Sequence, residues 1–333
     1  MKGRVLITGI AGFIGSNLSR GLLDRGYEVD GIDDLSVGQE KHVDPRVNMF
    51  HVRKVSDIIS EPWAQHYDTI VHLATKKIPR YGGATSVLVD NTRGIEAVVR
   101  FAKRTGAKVI FASTSDCYGK QSEFHENADS IIGPSDISRW SYAISKLWCE
   151  QYLYAQTEVD FNIIRYFGSY GPYMALSWTA GPPSVFISQA LKGEPLTVHG
   201  TGEQTRCFSY IDDHVDGTIK LMESGMNREV FNFGNPDVEI SMENFAYRVL
   251  WIVHGYGGDK SYEVSDGDFM IPLVPQMKPP INFVPYTNIK YEDVMRRVPN
   301  IEKARCFLDY QPTIGLDEGL RRTIEWQRKE MGL

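Results

Sequence analysis

The chain has 333 residues, 42% hydrophobic and 23% charged, with a formal net charge of -6, the composition of an ordinary globular protein with one large or two interlocked domains. The acidic balance and the lack of any long basic run argue against a DNA or RNA partner. No apolar run is long enough to span a bilayer and no charged-then-apolar leader precedes the first strand, so a cytoplasmic protein without membrane contact is expected.

Residues 5–7 are apolar, and Thr8-Gly9-Ile10-Ala11-Gly12-Phe13-Ile14-Gly15 follows at once, opening a helical pattern with Phe13, Ile14, Leu18, Leu22 and Leu23 on one face. In such a strand, turn and helix the first glycine permits the turn, the second admits a pyrophosphate, and the third lets helix and sheet pack closely. The spacing is wider than G-x-G-x-x-G, so the glycines alone are a weak signal. Gly26 stops the helix, and residues 27–32 read as a second strand ending at Asp33 and Asp34. An acid there accepts hydrogen bonds from an adenosine ribose and repels a 2′-phosphate, favouring NAD over NADP. The alternative is that residues 33–36 merely cap a turn.

Residues 47–52 and 69–74 read as the third and fourth strands, 91–104 as a helix stopped by Gly106, and 108–112 as the fifth strand. This alternation predicts an α/β fold with a doubly wound parallel sheet, whose ligands lie beyond the carboxyl ends of the strands. Ser113-Thr114-Ser115-Asp116 stands there. In the helical stretch 141–150, Tyr142 and Lys146 share one face, so the ammonium favours the phenolate and prepares a general base. The four cysteines, Cys117, Cys149, Cys207 and Cys306, form no C-x-x-C pair and the histidines show no ligand spacing. Reduced thiols and no metal are expected.

From about Ser169 the alternation gives way to Gly- and Pro-rich connections around short helices. Residues 185–191 read as a helix, 196–198 as a strand, 257–285 as loop-rich, and 301–308 and 316–329 as closing helices. Residues 1–168 are expected to form the dinucleotide-binding domain, with a helix and strand in 212–235 returning to it. Residues 169–211 and 236–333 are expected to form a smaller C-terminal substrate-binding domain.

Several ordered motifs carry a resemblance. They are the glycine turn, His72-Leu73-Ala74, Asn91-x-x-Gly94, Ser113-Thr114-Ser115 before Tyr118-Gly119, Tyr142-x-x-x-Lys146, Arg165-Tyr166-Phe167 with Tyr170-Gly171-Pro172, Gly200-x-Gly202-x-Gln204-x-Arg206, and Arg296-Arg297-Val298-Pro299-Asn300-Ile301. Together they resemble the extended short-chain dehydrogenase/reductase family, in its nucleotide-sugar epimerase, dehydratase and decarboxylase branch. The resemblance covers essentially the whole chain. It implies a Rossmann-like sheet, NAD held through turnover and a nucleotide-diphosphate sugar substrate, with UDP the expected carrier. It also implies a homodimer through the helices after Asn91 and Tyr142, which carry Val98, Phe101, Trp148, Tyr152 and Leu153; plain packing of these residues on the sheet is the alternative.

The cofactor residues implied are Gly9, Gly12, Phe13, Ile14, Gly15, Asp33, Asp34, Leu73, Ala74, Asn91, Tyr142 and Lys146. The resemblance further implies that Tyr142 takes the proton of the sugar C4 hydroxyl while nicotinamide takes hydride, giving a 4-keto intermediate. Lys146 would hold the nicotinamide ribose and lower the Tyr142 pKa, and Thr114 would bond O4. Arg206 matches a diphosphate clamp, with a surface charge as the alternative. Arg297 matches an arginine near the phosphates or sugar, with a helix-end salt bridge as the alternative.

Three departures bear on the reaction. Arg53-Lys54 stands where relatives carry Gly-Asp, leaving the Val55 backbone as one substitute contact for adenine, and Gly168 replaces the Asn of R-x-F-N. Ser115-Asp116 resembles the Ser-Glu pair of sugar-acid decarboxylases shortened by one methylene. Asp116 is a candidate to abstract a C5 proton or orient a leaving carboxyl group, or it only lines the wall or caps the turn. Ser115 is a poor proton donor, which counts against 4,6-dehydration. The expectation is a 4-epimerase, because Gly168 and residues 178–181 depart from the decarboxylases. Decarboxylase or dehydratase-type chemistry at Asp116 is the alternative. A non-catalytic NAD-binding regulator is the reading of another class, against which the intact Thr114, Tyr142 and Lys146 argue.

Overall fold

The computed structural model describes residues 2–60, 66–77, 83–254, 280–286 and 292–333. The first half alternates as β1 (Arg4–Thr8), α1 (Phe13–Asp24), β2 (Glu28–Asp33), β3 (Met49–Val52), β4 (Thr69–His72), α2 (Ala84–Thr105), β5 (Lys108–Thr114), α3 (Trp140–Tyr154) and β6 (Phe161–Tyr166). These strands, with β11 (Glu229–Phe233), form a seven-stranded sheet in the order β11-β6-β5-β4-β1-β2-β3, every pairing parallel. The chain order reverses between β1 and β4, which opens a crevice beyond their carboxyl ends.

Alternation along each strand divides the core. Val5 and Ile7 of β1, and Ile110 and Ala112 of β5, face α1 and the second half of the chain. Leu6, Val109 and Phe111 point to the opposite layer, against α2 and α3. Both faces are covered, so the strands read as unbroken apolar runs rather than alternating ones.

The second half adds β7 (Ser169–Tyr170), α4 (Pro182–Lys192), β8 (Leu196–His199), β9 (Thr205–Cys207), β10 (Ser209–Tyr210), α5 (Ile211–Glu223), β12 (Glu239–Ser241), α6 (Met242–Val253), β13 (Ile281–Val284), β14 (Arg296–Arg297), α7 (Glu302–Leu308) and α8 (Leu316–Glu330). Small sheets, β13 with β8 and β12-β9-β14, stand over the crevice. Most of the expected loop 257–285 lies outside the described residues; within its described part, residues 281–284 form β13, a strand where a loop was expected, paired in register with β8. Helix α2 starts at Ala84, seven residues before the expected Asn91, and β5 runs on to Thr114, which pairs with Tyr166.

Helices α2 and α3 pack on each other. Val98, Phe101 and Leu153 are fully buried in the layer below, so this part of the apolar surface is core. Trp148 is 40% exposed and stacks on Tyr152 with centroids 5.0 Å apart; Ile144 of α3 and Leu88 of α2 are also exposed. Among the described residues no helix is long and apolar enough to cross a membrane.

Candidate active site

A cavity of about 780 Å³ lies over the crevice, lined by the glycine turn, the ends of β2, β4 and β5, the start of α3, and β8, β9 and residues 293 and 297 from the second half. Gly9, Gly12, Phe13, Ile14, Gly15, Asp33, Asp34, Leu73, Ala74 and Asn91 all line it, as do Thr114, Ser115, Asp116, Tyr142, Lys146, Arg206 and Arg297. The structure thus gathers every candidate catalytic, cofactor and substrate residue named from the sequence around one space.

At the cofactor end the turn is tight. A Cβ on Gly15 would stand 2.2 Å from the Gly9 carbonyl oxygen, so only glycine lets the helix close on the turn. Helix α1 opens at Gly12 without a side-chain cap, which leaves its first N–H groups facing an anion site. Asp33 accepts from the backbone N–H of Ala11 at 3.0 Å and of Leu35 at 2.9 Å, and Asp34 from that of Ser36 at 2.9 Å. The two acids therefore cap the turn, the alternative drawn from the sequence, and they also border the cavity. These features fit a dinucleotide. Val55 and Ser56 reach the cavity beside Lys54, where the customary Gly-Asp is missing.

Asn91 is a fastener. Its Oδ1 accepts from the Lys76 N–H at 2.7 Å, its Nδ2 donates to the Lys76 carbonyl at 3.0 Å, and Nδ2 also reaches Ser145 Oγ of α3 at 3.0 Å.

At the chemical end, α3 presents Tyr142, Lys146 and Glu150 at four-residue intervals, all buried. Glu150 forms a buried bidentate pair with Arg165 of β6 at 3.0 and 2.6 Å and accepts from Ser113 of β5, which fixes the helix over both strands. Lys146 donates from Nζ to the Ala112 carbonyl at 2.7 Å and sits over the Phe111 ring. Burial pushes its amine down to about 8. Burial also raises the Tyr142 phenol, with Asp116 and Cys117 adding to the rise and a hydrogen bond with Thr114 opposing it.

Thr114 caps the turn Ser115–Tyr118 by accepting from the Asp116 N–H at 3.2 Å. The cap is therefore Thr114, and the Asp116 carboxylate is turned elsewhere. Its Oδ1 accepts from Arg297 Nη1 at 2.6 Å and from Arg139 Nη2 at 3.3 Å. Burial alone would raise this carboxyl, but Arg297, Arg139 and Lys77 outweigh it and hold it well below the usual carboxylate range. Arg297 belongs to β14, not to a helix end, and is 10% exposed; its Nε and Nη2 are buried without an acceptor. Arg206 is likewise no surface charge. It donates to Asp293 at 2.7 Å and to the Thr205 and Val294 carbonyls. Gly168 has φ +53°, and a Cβ there would lie 1.8 Å from the Cys207 carbonyl oxygen, so the departure from R-x-F-N has a steric cause.

Arg139, Lys77, Asp293 and His199 were not foreseen, although all line the cavity, and Trp178, noted in the sequence only as part of a departure from the decarboxylases, lines it too. Arg139 stands three residues, one helical turn, before Tyr142, and Lys77 follows the end of β4, so both were within reach of spacing rules. Asp293 carries no local signal. Trp178 and His199 meet as rings 4.9 Å apart across a loop and a strand, a contact that only the fold creates.

Residues 5–234 match the model of the NAD dependent epimerase/dehydratase family. The chain belongs to this family. Its cofactor is NAD. The chain is 34% identical to UDP-glucuronic acid decarboxylase 1 of Xenopus tropicalis, over 98% of this chain and 73% of that protein. It is 32% identical to UDP-N-acetyl-alpha-D-glucosaminuronate decarboxylase of Bacillus cytotoxicus, over 99% of both chains. Its fold is similar to that of the UDP-glucose 4-epimerase of Thermotoga maritima, with a TM-score of 0.81 at 26% identity over 98% of this chain and 99% of that one. Epimerase and decarboxylase chemistry are thus both represented among the relatives.

Proposed function

We propose that the enzyme removes carbon dioxide from a UDP-linked hexuronic acid after transient oxidation at C4. One observation carries this reading: Arg297, held on Asp116 beside Thr114 and Tyr142, keeps two buried N–H donors without acceptors. Buried guanidinium donors call for an anion. A carboxylate on the sugar is an anion at that end of the cavity.

In this mechanism Tyr142 takes the C4 hydroxyl proton and Thr114 bonds O4. NAD, which the glycine turn, Asp33, Asp34 and Lys146 would hold, would supply the acceptor and donor of hydride at C4. Once C4 is a ketone, the carboxyl group on C5 is β to it. The bond from C5 to the carboxyl carbon breaks, its electron pair moves into an enolate, and the charge rests on O4, where Tyr142 and Thr114 donate. No base at C5 is needed. That suits Asp116, which the surrounding cations make a weak base, and gives it the work of holding Arg297. A solvent proton at C5, then reduction of C4 with the Tyr142 proton returned to O4, would complete the turnover.

The same reading assigns Asp33, Asp34, Asn91 and the glycine turn to NAD, and Arg206 to the diphosphate. It makes residues 1–168 with 212–235 the cofactor domain, and the exposed part of α2 and α3 a homodimer face, in a cytoplasmic enzyme. The two decarboxylase relatives support it. The 4-epimerase expected from the sequence is the second reading, favoured by the likeness to the Thermotoga maritima epimerase. Incubation with UDP-glucuronate, UDP-glucose and UDP-N-acetylglucosamine, followed by mass analysis, separates the two. Loss of carbon dioxide from the acid is expected; an unchanged mass with inverted C4 would replace this reading by the epimerase.

A further inference from the structure

The cations around the cavity are unequally matched. Arg206 is taken by Asp293, and Arg139 and Arg297 converge on the single carboxylate of Asp116. Lys77 also lines the cavity, and among the described residues it has no hydrogen bond or ion pair. It keeps contact with solvent, yet the walls crowd it enough that desolvation lowers its pKa, with Asp116 opposing and Arg297 reinforcing the shift.

Its direction is set by its neighbour. Asn91 grips Lys76 by both backbone groups, so this stretch leaves β4 in a fixed path. Lys76 acts on Asp34, at the cofactor end. Lys77 acts on Asp116 and is acted on by Arg297, at the chemical end. The two successive lysines thus act on opposite ends of the cavity that both of them line. An unmatched ammonium in a confined space gains most from an anion that brings no competing cation.

Resting on the decarboxylase reading, we infer that Lys77 is a specificity-determining residue that receives the acid group of the sugar, a hexuronate carboxylate, together with the free donors of Arg297. Lys77 is the part of the acid subsite contributed by the cofactor half, facing Arg297 from the substrate half. This contact exists in the ground state and is lost as carbon dioxide leaves, so it contributes to substrate affinity rather than to the chemical step.

The test compares Lys77→Met and Lys77→Arg with the unaltered NAD-containing enzyme, measuring Kd for UDP-glucuronate and for UDP-glucose by calorimetry, with the bound NAD content as the check of folding. Lys77→Met is expected to weaken UDP-glucuronate by about tenfold or more, leave UDP-glucose and NAD content essentially unchanged, and raise KM without lowering kcat. Lys77→Arg is expected to restore most of the loss. Equal weakening of both nucleotide sugars would make Lys77 a diphosphate contact, loss of NAD would make it a cofactor contact, and no change in either affinity would give it no role; each overturns the inference. Wild-type enzyme that prefers the acid through Lys77 but releases no carbon dioxide would uphold the inference and overturn the proposed reaction. Carbon dioxide release that is indifferent to Lys77 would do the reverse.

Discussion

Arg297 reaches Asp116 at 2.6 Å across 181 residues of sequence, joining a two-residue strand of the second half to the carboxyl end of β5. This pair sets the charge of the site where the sugar ring is proposed to lie. Asp116→Asn should leave two guanidinium groups without their shared acceptor, loosen Arg297 and lower kcat/KM for UDP-glucuronate by about 10²-fold or more. In deuterated solvent the product should carry one deuterium at C5 in wild type and variant alike, the one that replaces the carboxyl group, because the proposed step needs no base there. A second C5 deuterium in the wild-type product that disappears in Asp116→Asn would restore Asp116 as a C5 base.

Tyr142→Phe removes the proposed base while keeping the ring that fills its buried position. Turnover of every nucleotide sugar should fall by about 10²–10⁴-fold, with NAD still bound. Unchanged turnover would overturn Tyr142 as the base, whereas no turnover of any nucleotide sugar by the unaltered protein would leave the non-catalytic regulator as the better description.

Lys146 should set the alkaline limb of activity. Burial pushes its pKa down to about 8, so if the ammonium is the working form, kcat/KM falls as pH rises through that value. Stability moves the other way. Between about 8 and the ordinary amine value of 10.5 the folded chain binds fewer protons at this site than the unfolded chain. The destabilising effect of the buried ammonium is therefore full below pH 8 and fades as pH rises. Lys146→Met should abolish activity and flatten this rise, read from denaturation midpoints at either end of that window.

Gly168→Asn restores the residue usual in the family motif, yet it should cost stability here. The left-handed backbone tolerates Asn, but the new Cβ meets the Cys207 carbonyl, and a loss of about 2–4 kcal/mol is expected from chemical denaturation. A neutral effect would mean that β9 moves aside freely.

Trp148→Glu tests the outer face of α3. Trp148, Ile144 and Leu88 stay exposed after the helices have packed on the sheet. The substitution should convert the proposed dimer into a monomer by light scattering, with NAD content unchanged.

Much of this was legible in the sequence because the cofactor half is built from local signals. The glycine turn, the acids closing β2 and the four-residue interval of Tyr142 and Lys146 each lie within one element, so periodicity locates them. The fate of Asp116 was not legible. Its two partners are Arg139, on the near side of α3, and Arg297, which only the second half of the fold brings in. The same holds for Val98, Phe101 and Leu153, whose apolar character suits a dimer face or a core equally until the packing of α2 on α3 assigns them to the core. The early start of α2 was hidden because Gly83, in a left-handed conformation, precedes it without a polar capping side chain.

The shortness of β14 has a consequence for how the family can vary here. Arg296 and Arg297 point to opposite sides: one holds Glu239 at the surface, the other holds Asp116 within. Four residues upstream, Asp293 is anchored on Arg206. One inserted or deleted residue between those anchors would exchange the two arginines, placing the wrong one indoors while leaving composition almost untouched. From Asp293 to Arg297, then, the residue count itself decides which guanidinium enters the site.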